Sequence, residues 1–119
     1  MVTKLLLVAL GGAVGSVLRF GIQRGLNLSF PYGTLLVNLA GSFLIGVLLA
    51  TASRPFTSDY GRLLLVSGFC GGFTTFSAFT HEGISLLTQN KPVLFALYLS
   101  ASVVGGFLLT WTGFKLFST

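Results

Sequence analysis

Four long apolar stretches occupy nearly the whole sequence and constrain its fold more than any other feature. They run over residues 5–22, 32–52, 63–87 and 93–117. A helix needs roughly 20 residues to cross a hydrocarbon core of about 30 Å, so each stretch is long enough for one crossing. The sequence therefore predicts an all-α membrane protein in which residues 1–119 form a single four-helix transmembrane domain, with no room for an extramembrane domain.

The composition excludes several classes of protein. Hydrophobic residues make up 53% of the chain and charged residues 8%, a balance that is atypical of a soluble domain. The net charge of +5 comes from basic residues spread singly along the chain, so no nucleic-acid partner is expected. Two acids and one histidine leave no paired carboxylates or metal-ligand cluster, so an enzyme is not expected. Lys4 before an apolar run also fits a cleavable signal peptide, whose removal would leave three helices.

The distribution of basic residues barely specifies which way the chain inserts. Four crossings place both termini on one side, and that side receives Lys4, Arg54, Arg62 and Lys115, whereas the other receives Arg19, Arg24 and Lys91. Orientation depends on an excess of Lys and Arg in cytoplasmic loops, and four against three is nearly even. Two interpretations stay open: a single orientation, or a dual topology that would allow an antiparallel homodimer.

The first predicted helix carries a small-residue surface. Gly11 and Gly15 have the four-residue spacing that lets membrane helices approach closely, which predicts a packing surface. Arg19 follows one turn later. It either extends its charge toward the membrane surface or lines a water-filled vestibule.

Polar residues recur at four-residue steps on the second and fourth predicted helices. Thr34, Asn38 and Ser42 form one stripe on the second helix. The matching stripe on the fourth consists of Tyr98, Ser102, Gly106 and Thr110. A carboxamide without partners in lipid is costly, so Asn38 must face protein, water or a ligand. A polar pathway and a simple hydrogen bond between helices are the two interpretations.

The sequence GFCGGFTTFSAF at residues 68–79 interrupts the third apolar stretch. Gly71 and Gly72 are followed by Thr74 and Thr75, residues that favour helix N-caps. This pattern predicts a broken third helix around residues 71–75, with an unusual backbone at Gly71. Carbonyls released by such a break are good ligands for a small cation. The alternative is that the glycines only permit close packing.

Phe76, Phe79 and Glu82 follow at three-residue steps and so share one face. Aromatic edges carry positive potential, so two rings turned edge-on could meet an anion without trapping it. The alternative is that these rings are ordinary lipid-facing or core side chains.

The segments GTLLVNLAGSFLIG, at residues 33–46, and GFCGGFTTFSAF, with the following Glu82, resemble the Fluc family of fluoride channels, also called CrcB. The resemblance extends over the whole chain. It implies a fluoride-selective passive channel that exports fluoride across the cell membrane as a multi-pass protein. It also implies an antiparallel homodimer with two pores at its interface and a central structural sodium ion between the broken third helices.

The resemblance also assigns roles by position. Gly71 and Thr74 would offer backbone carbonyls to sodium, Phe76 and Phe79 would be the rings that fluoride passes, and Asn38 would donate its amide to the ion. Further candidates for the polar track or its support are Thr34, Ser42, Thr75, Ser77, Tyr98 and Ser102, and Arg19 and Glu82 are matched without a clear role. Ala78 and His81 depart from the family pattern.

One rival function is a small dual-topology exporter that exchanges protons for cationic drugs. Such a carrier needs a carboxylate within the membrane, typically in its first helix. The first predicted helix has none, and Glu82 lies near the far end of the third. A second rival is a structural subunit without transport activity.

Overall fold

The computed structural model describes residues 1–52 and 58–118. The helical elements are α1 (Val2–Leu26), α2 (Tyr32–Ala50), α3 (Asp59–Arg62), a π-helical segment (Leu63–Cys70), α4 (Gly71–Phe73), α5 (Phe76–Thr88) and α6 (Pro92–Phe117). The elements from α3 to α5 follow one another and form the third span, Asp59–Thr88. The described ranges thus contain four spans long and apolar enough to cross a membrane, which confirms the all-helical, multi-pass prediction. Arg54, one of the basic residues counted above, lies outside the described residues.

Large apolar side chains cover the outside of the bundle. Val17 on α1 is 71% exposed and Phe107 on α6 is 78% exposed. Soluble monomers rarely expose apolar patches of this extent, because apolar surface in water is unfavourable. The outer surface is therefore suited to lipid or to another protein chain within the membrane.

The α1 helix packs against the third span through its glycines. A Cβ on Gly11 would overlap the carbonyl oxygen of Leu64, and one on Gly15 would overlap that of Phe69. Only a hydrogen in place of the side chain lets the two backbones approach this closely. The predicted packing surface on α1 is confirmed, and its partner is the π-helical segment.

The α2 and α6 helices form a second close pair. A Cβ on Gly46 would overlap the carbonyl oxygen of Thr110, and a Cβ on Gly113 would overlap that of Phe43. Glycine is therefore needed on both helices of this crossing. Neither glycine was predicted to pack, although Ser42 and Gly46 have the four-residue spacing of small residues that permits close approach.

The third span leaves the helical conformation at Thr74 and Thr75. Their backbone angles are φ −88°, ψ 158° and φ −152°, ψ 119°, both extended. Gly71 has the helical angles φ −61° and ψ −35°, so the unusual backbone expected there is wrong. A Cβ on Gly71 would meet nothing nearer than the Val66 carbonyl oxygen at 3.9 Å, whereas one on Gly72 would overlap the carbonyl of Gly12. Gly72 permits close packing against α1. The backbone departs from helical angles at Thr74 and Thr75, and not at the glycines.

Candidate functional site

Asn38 pairs with the backbone of the extended residue Thr75. Its Oδ1 accepts the Thr75 N–H at 2.7 Å, and its Nδ2 donates to the Thr75 carbonyl at 3.0 Å. A carboxamide carries both a donor and an acceptor, so it can satisfy both backbone groups of one residue. The α2 helix is thereby joined to the third span at the point where the helix stops.

This pairing changes the hydrogen bonding of two backbone carbonyls. In a continuous α-helix, the N–H of Thr75 would bond to the carbonyl of Gly71, and that of Ala78 to the carbonyl of Thr74. The Thr75 N–H instead bonds to Asn38, and the Ala78 N–H bonds to the Thr75 hydroxyl at 3.2 Å, where Thr75 is the N-cap of α5. The carbonyls of Gly71 and Thr74 therefore lack their usual helical donors. Released backbone carbonyls are the ligand type that discontinuous helices offer to sodium, so these residues fit such an ion.

Arg19 lies close to the interruption of the third span, which consists of the extended residues Thr74 and Thr75. Its Nε donates to the carbonyl of Gly72 at 2.9 Å, and its Nη1 donates to Gln23 Oε1 at 3.3 Å. The guanidinium therefore places positive charge where a helix end is negative. The α1 helix continues for seven residues beyond Arg19, to Leu26, so Arg19 lies in the last third of that helix and not in the connection that follows it. Gln23 was missed, although its four-residue spacing from Arg19 could have indicated the pair.

An open cavity of about 290 Å³ lies beside the Asn38–Thr75 pair. It is lined by Asn38, Gly41, Ser42, Ile45, Thr74, Thr75, Phe76 and Thr110. The lining comes from α2, the interruption, α5 and α6, and it contains no charged side chain. An amide nitrogen has two N–H groups, so Asn38 keeps a second donor beyond the bond to Thr75. The cavity therefore holds polar groups among apolar ones, and its lining has no fixed charge.

The hydroxyls near the cavity are mostly committed to backbone carbonyls. Ser42 Oγ donates to the Asn38 carbonyl at 2.7 Å, and Thr110 Oγ1 donates to the Ser42 carbonyl at 2.9 Å. Ser102 Oγ is buried and has no hydrogen-bond partner within the described ranges. Ser77 Oγ lies on the other side of the interruption, 3.4 Å from Thr75 Oγ1. The predicted stripes of α2 and α6 thus meet, and Ser102 retains an unused hydroxyl.

Four aromatic rings form a continuous series from the cavity toward the α1–α2 connection. Phe76 and Phe79 have ring centroids 5.8 Å apart, Phe79 and Tyr98 are 5.2 Å apart, and Tyr98 and Phe30 are 5.5 Å apart. The rings are tilted or perpendicular to one another, as ring quadrupoles favour. Phe76 begins the series and is 76% exposed. Phe30 was missed, since only the folded arrangement brings its loop to α6.

Glu82 is the centre of a hydrogen-bond network that connects to Arg19 through Gln23 and Thr34. Its Oε2 accepts from Asn27 Nδ2 and Thr34 Oγ1, and its Oε1 accepts from the Tyr98 hydroxyl, each at 2.9 Å. Thr34 and Tyr98 are fully buried. Gln23 Nε2 also donates to Thr34 Oγ1 at 3.0 Å. The α2 stripe therefore divides: Thr34 joins the carboxylate, whereas Asn38 and Ser42 face the cavity.

Comparison with known proteins identifies close sequence relatives. The family described as CrcB-like protein, Camphor Resistance (CrcB), matches residues 6–114. A Leptospira interrogans protein named fluoride-specific ion channel FluC is 47% identical over 115 residues, covering 92% of this chain and 91% of the relative. Proteins of the same name from Chlorobium luteolum and Rhizobium etli (strain CIAT 652) are 46% identical over 114 residues and 51% identical over 102 residues. The first covers 92% of this chain and 88% of the relative, and the second covers 82% of each. By the extent of the match and by these identities, the chain belongs to the CrcB family.

Proposed function

We propose that the chain is a fluoride-selective passive ion channel that exports fluoride across the cell membrane. The observation that carries this proposal is the uncharged cavity where Asn38 meets the extended pair Thr74 and Thr75, next to the exposed ring of Phe76. The names of the relatives, fluoride-specific ion channel, support it.

The chemistry of the cavity suits a small, strongly hydrated anion. A conducting pore must replace the water around the ion with donors, yet bind weakly enough to release it. Within the cavity, the second N–H of Asn38 and the ring edge of Phe76 offer positive potential without a full positive charge. Beyond the lining, the Phe79 ring follows that of Phe76 at a centroid distance of 5.8 Å. A fixed lysine or arginine in the cavity would hold the anion, and the lining has neither.

In this proposal the chain assembles as an antiparallel homodimer with two pores at its interface. The cavity is open on the side of a single chain, and Phe76 is 76% exposed there. A second copy in the opposite orientation supplies the missing wall and brings its own rings to each pore. Each pore is then lined by residues of both copies.

In the same proposal, the interface would hold a structural sodium ion. The carbonyls of Gly71 and Thr74 have lost their helical donors, and Gly71 is exposed. Two carbonyls from each copy would hold the ion at the dimer centre. When bound, sodium supplies the positive charge that keeps the two third spans together. Arg19 engages the neighbouring Gly72 carbonyl, so that carbonyl stays out of the ligand set.

Passive conduction is sufficient for export. An interior that is negative drives an anion outward by about 2.3 kcal/mol per charge for each 100 mV. The role of the chain is therefore to offer a selective path, and the membrane potential supplies the direction.

Fluoride efflux from liposomes tests the proposal. The purified protein is reconstituted, valinomycin clamps the potential, and a fluoride electrode follows release with chloride as the control anion. We expect rapid fluoride release with chloride retained. If a verified dimer in sodium buffer releases no fluoride, the proposal is wrong. Proton-coupled dye uptake that Glu82→Gln abolishes would then favour the exporter, although three donors engage that carboxylate.

A further inference from the structure

A second polar cavity lies at the end of the bundle where the first and third spans begin. Its volume is about 350 Å³. It is lined by Lys4, Asp59, Arg62, Leu63, Val66 and Ser67. None of these residues lines the cavity beside Asn38, so the two cavities are separate.

The lining carries an excess of positive charge. Lys4 and Arg62 contribute two cations and Asp59 one anion, so the lining has a net charge of +1. The Nε of Arg62 is buried, and within residues 1–52 and 58–118 it has no hydrogen-bond partner. A buried donor on a charged group is costly when it is unpaired, so an acceptor at this position would stabilise the site. The hydroxyl of Ser67 is a further possible donor.

The cavity lies at the level where two spans begin, which is where a membrane surface is expected. Lys4 lies two residues after the first residue of its helix, Val2, and Arg62 lies three residues after Asp59, where the third span begins. Apolar side chains are exposed nearby, with Leu6 64% exposed and Leu65 41% exposed. A lipid could therefore place its acyl chains along these side chains while its headgroup reaches the basic residues.

We infer that this cavity binds the phosphate group of an anionic phospholipid. Arg62 and Lys4 supply the charge that recognises the phosphate, and Ser67 supplies a neutral donor. Basic pockets between transmembrane helices bind lipid headgroups by the same attraction. Asp59 opposes the phosphate and limits its affinity. Free phosphate has the same chemistry and is the other source that an experiment must distinguish.

Lipid binding to the full chain tests the inference. The protein in neutral detergent is titrated with phosphatidylglycerol or phosphatidylcholine, and bound lipid is counted by native mass spectrometry. We expect a preference for phosphatidylglycerol that Arg62→Gln or Lys4→Gln weakens about five-fold, as expected for one basic residue near an anionic headgroup. Asp59→Asn removes the opposing charge and should strengthen binding by a similar factor.

Lys91→Gln is the matched control, because it removes the same charge at the start of α6, at the opposite end of the bundle. Equal binding of the two lipids, or an equal loss in Lys91→Gln, would overturn the inference. If Arg62→Gln does not fold, Asp59→Asn decides alone, since unchanged or weaker binding contradicts the charge argument. If inorganic phosphate displaces phosphatidylglycerol, the cavity takes free phosphate and the inference of a lipid site is wrong. If phosphatidylglycerol stays bound, the lipid site is supported.

Discussion

Replacing Asn38 tests whether its side chain maintains the extended backbone at Thr75. Leucine has a similar size but neither donor nor acceptor, so Asn38→Leu removes the bonds of 2.7 Å and 3.0 Å to the Thr75 backbone. Aspartate keeps an oxygen for the Thr75 N–H, loses the donor to the carbonyl, and adds negative charge. The pair of variants therefore separates the support of the backbone from conduction.

The size of the effect follows from the two lost bonds. Hydrogen bonds between membrane helices average about 0.6 kcal/mol, so two give about 1.2 kcal/mol, roughly an eight-fold shift in population. An unpaired buried donor costs about 1–3 kcal/mol, which sets a higher range of about 5- to 150-fold. We therefore expect Asn38→Leu to reduce the extended population, and with it fluoride efflux, by about eight-fold or more.

Two measurements check this expectation. The electrode assay gives the efflux rate, and the Cα and Cβ chemical shifts of Thr75 distinguish extended from helical backbone. Asn38→Leu should lose both efflux and the extended shifts, whereas Asn38→Asp should keep the shifts and lose efflux. Wild-type efflux together with unchanged shifts in Asn38→Leu would refute the reasoning.

Three further predictions concern the rings, the carboxylate and the glycines. Phe76→Ile and Phe79→Ile should each lower fluoride efflux while the dimer persists on a sizing column, and unchanged efflux in both would remove the rings from the pathway. Glu82→Gln should lower stability by about 1–3 kcal/mol in denaturant unfolding, since an amide nitrogen cannot accept the donors that the carboxylate accepts; equal stability would contradict the network. Gly11→Ala should destabilise the fold, because its Cβ would overlap a backbone carbonyl, whereas Gly71→Ala should fold normally; equal melting temperatures would contradict this contrast.

Features set by local pattern could be predicted from the sequence. The four spans follow from the length of the apolar stretches, and the third span starts only four residues before its predicted start at Leu63. Close packing at Gly11 and Gly15 follows from their spacing on one helix. The helix that packs on Gly11 and Gly15 could not be predicted, because their spacing describes only the surface of α1 and not the segment that covers it.

Features that depend on contacts between helices could not be predicted. Arg19 looked like a residue of the helix end, yet it bonds to the Gly72 carbonyl. Likewise, Glu82 gathers donors from three other segments, and only the rotation of each helix about its axis brings them together.

The dependence of Thr75 on Asn38 has a consequence for biogenesis. The two residues are 37 positions apart, on different spans, so the third span alone lacks the partner that keeps its backbone extended. Until the second span docks, the Thr75 N–H lacks its Asn38 acceptor. The local shape of the third span is therefore completed by assembly with its neighbour, and not by the insertion of that span alone.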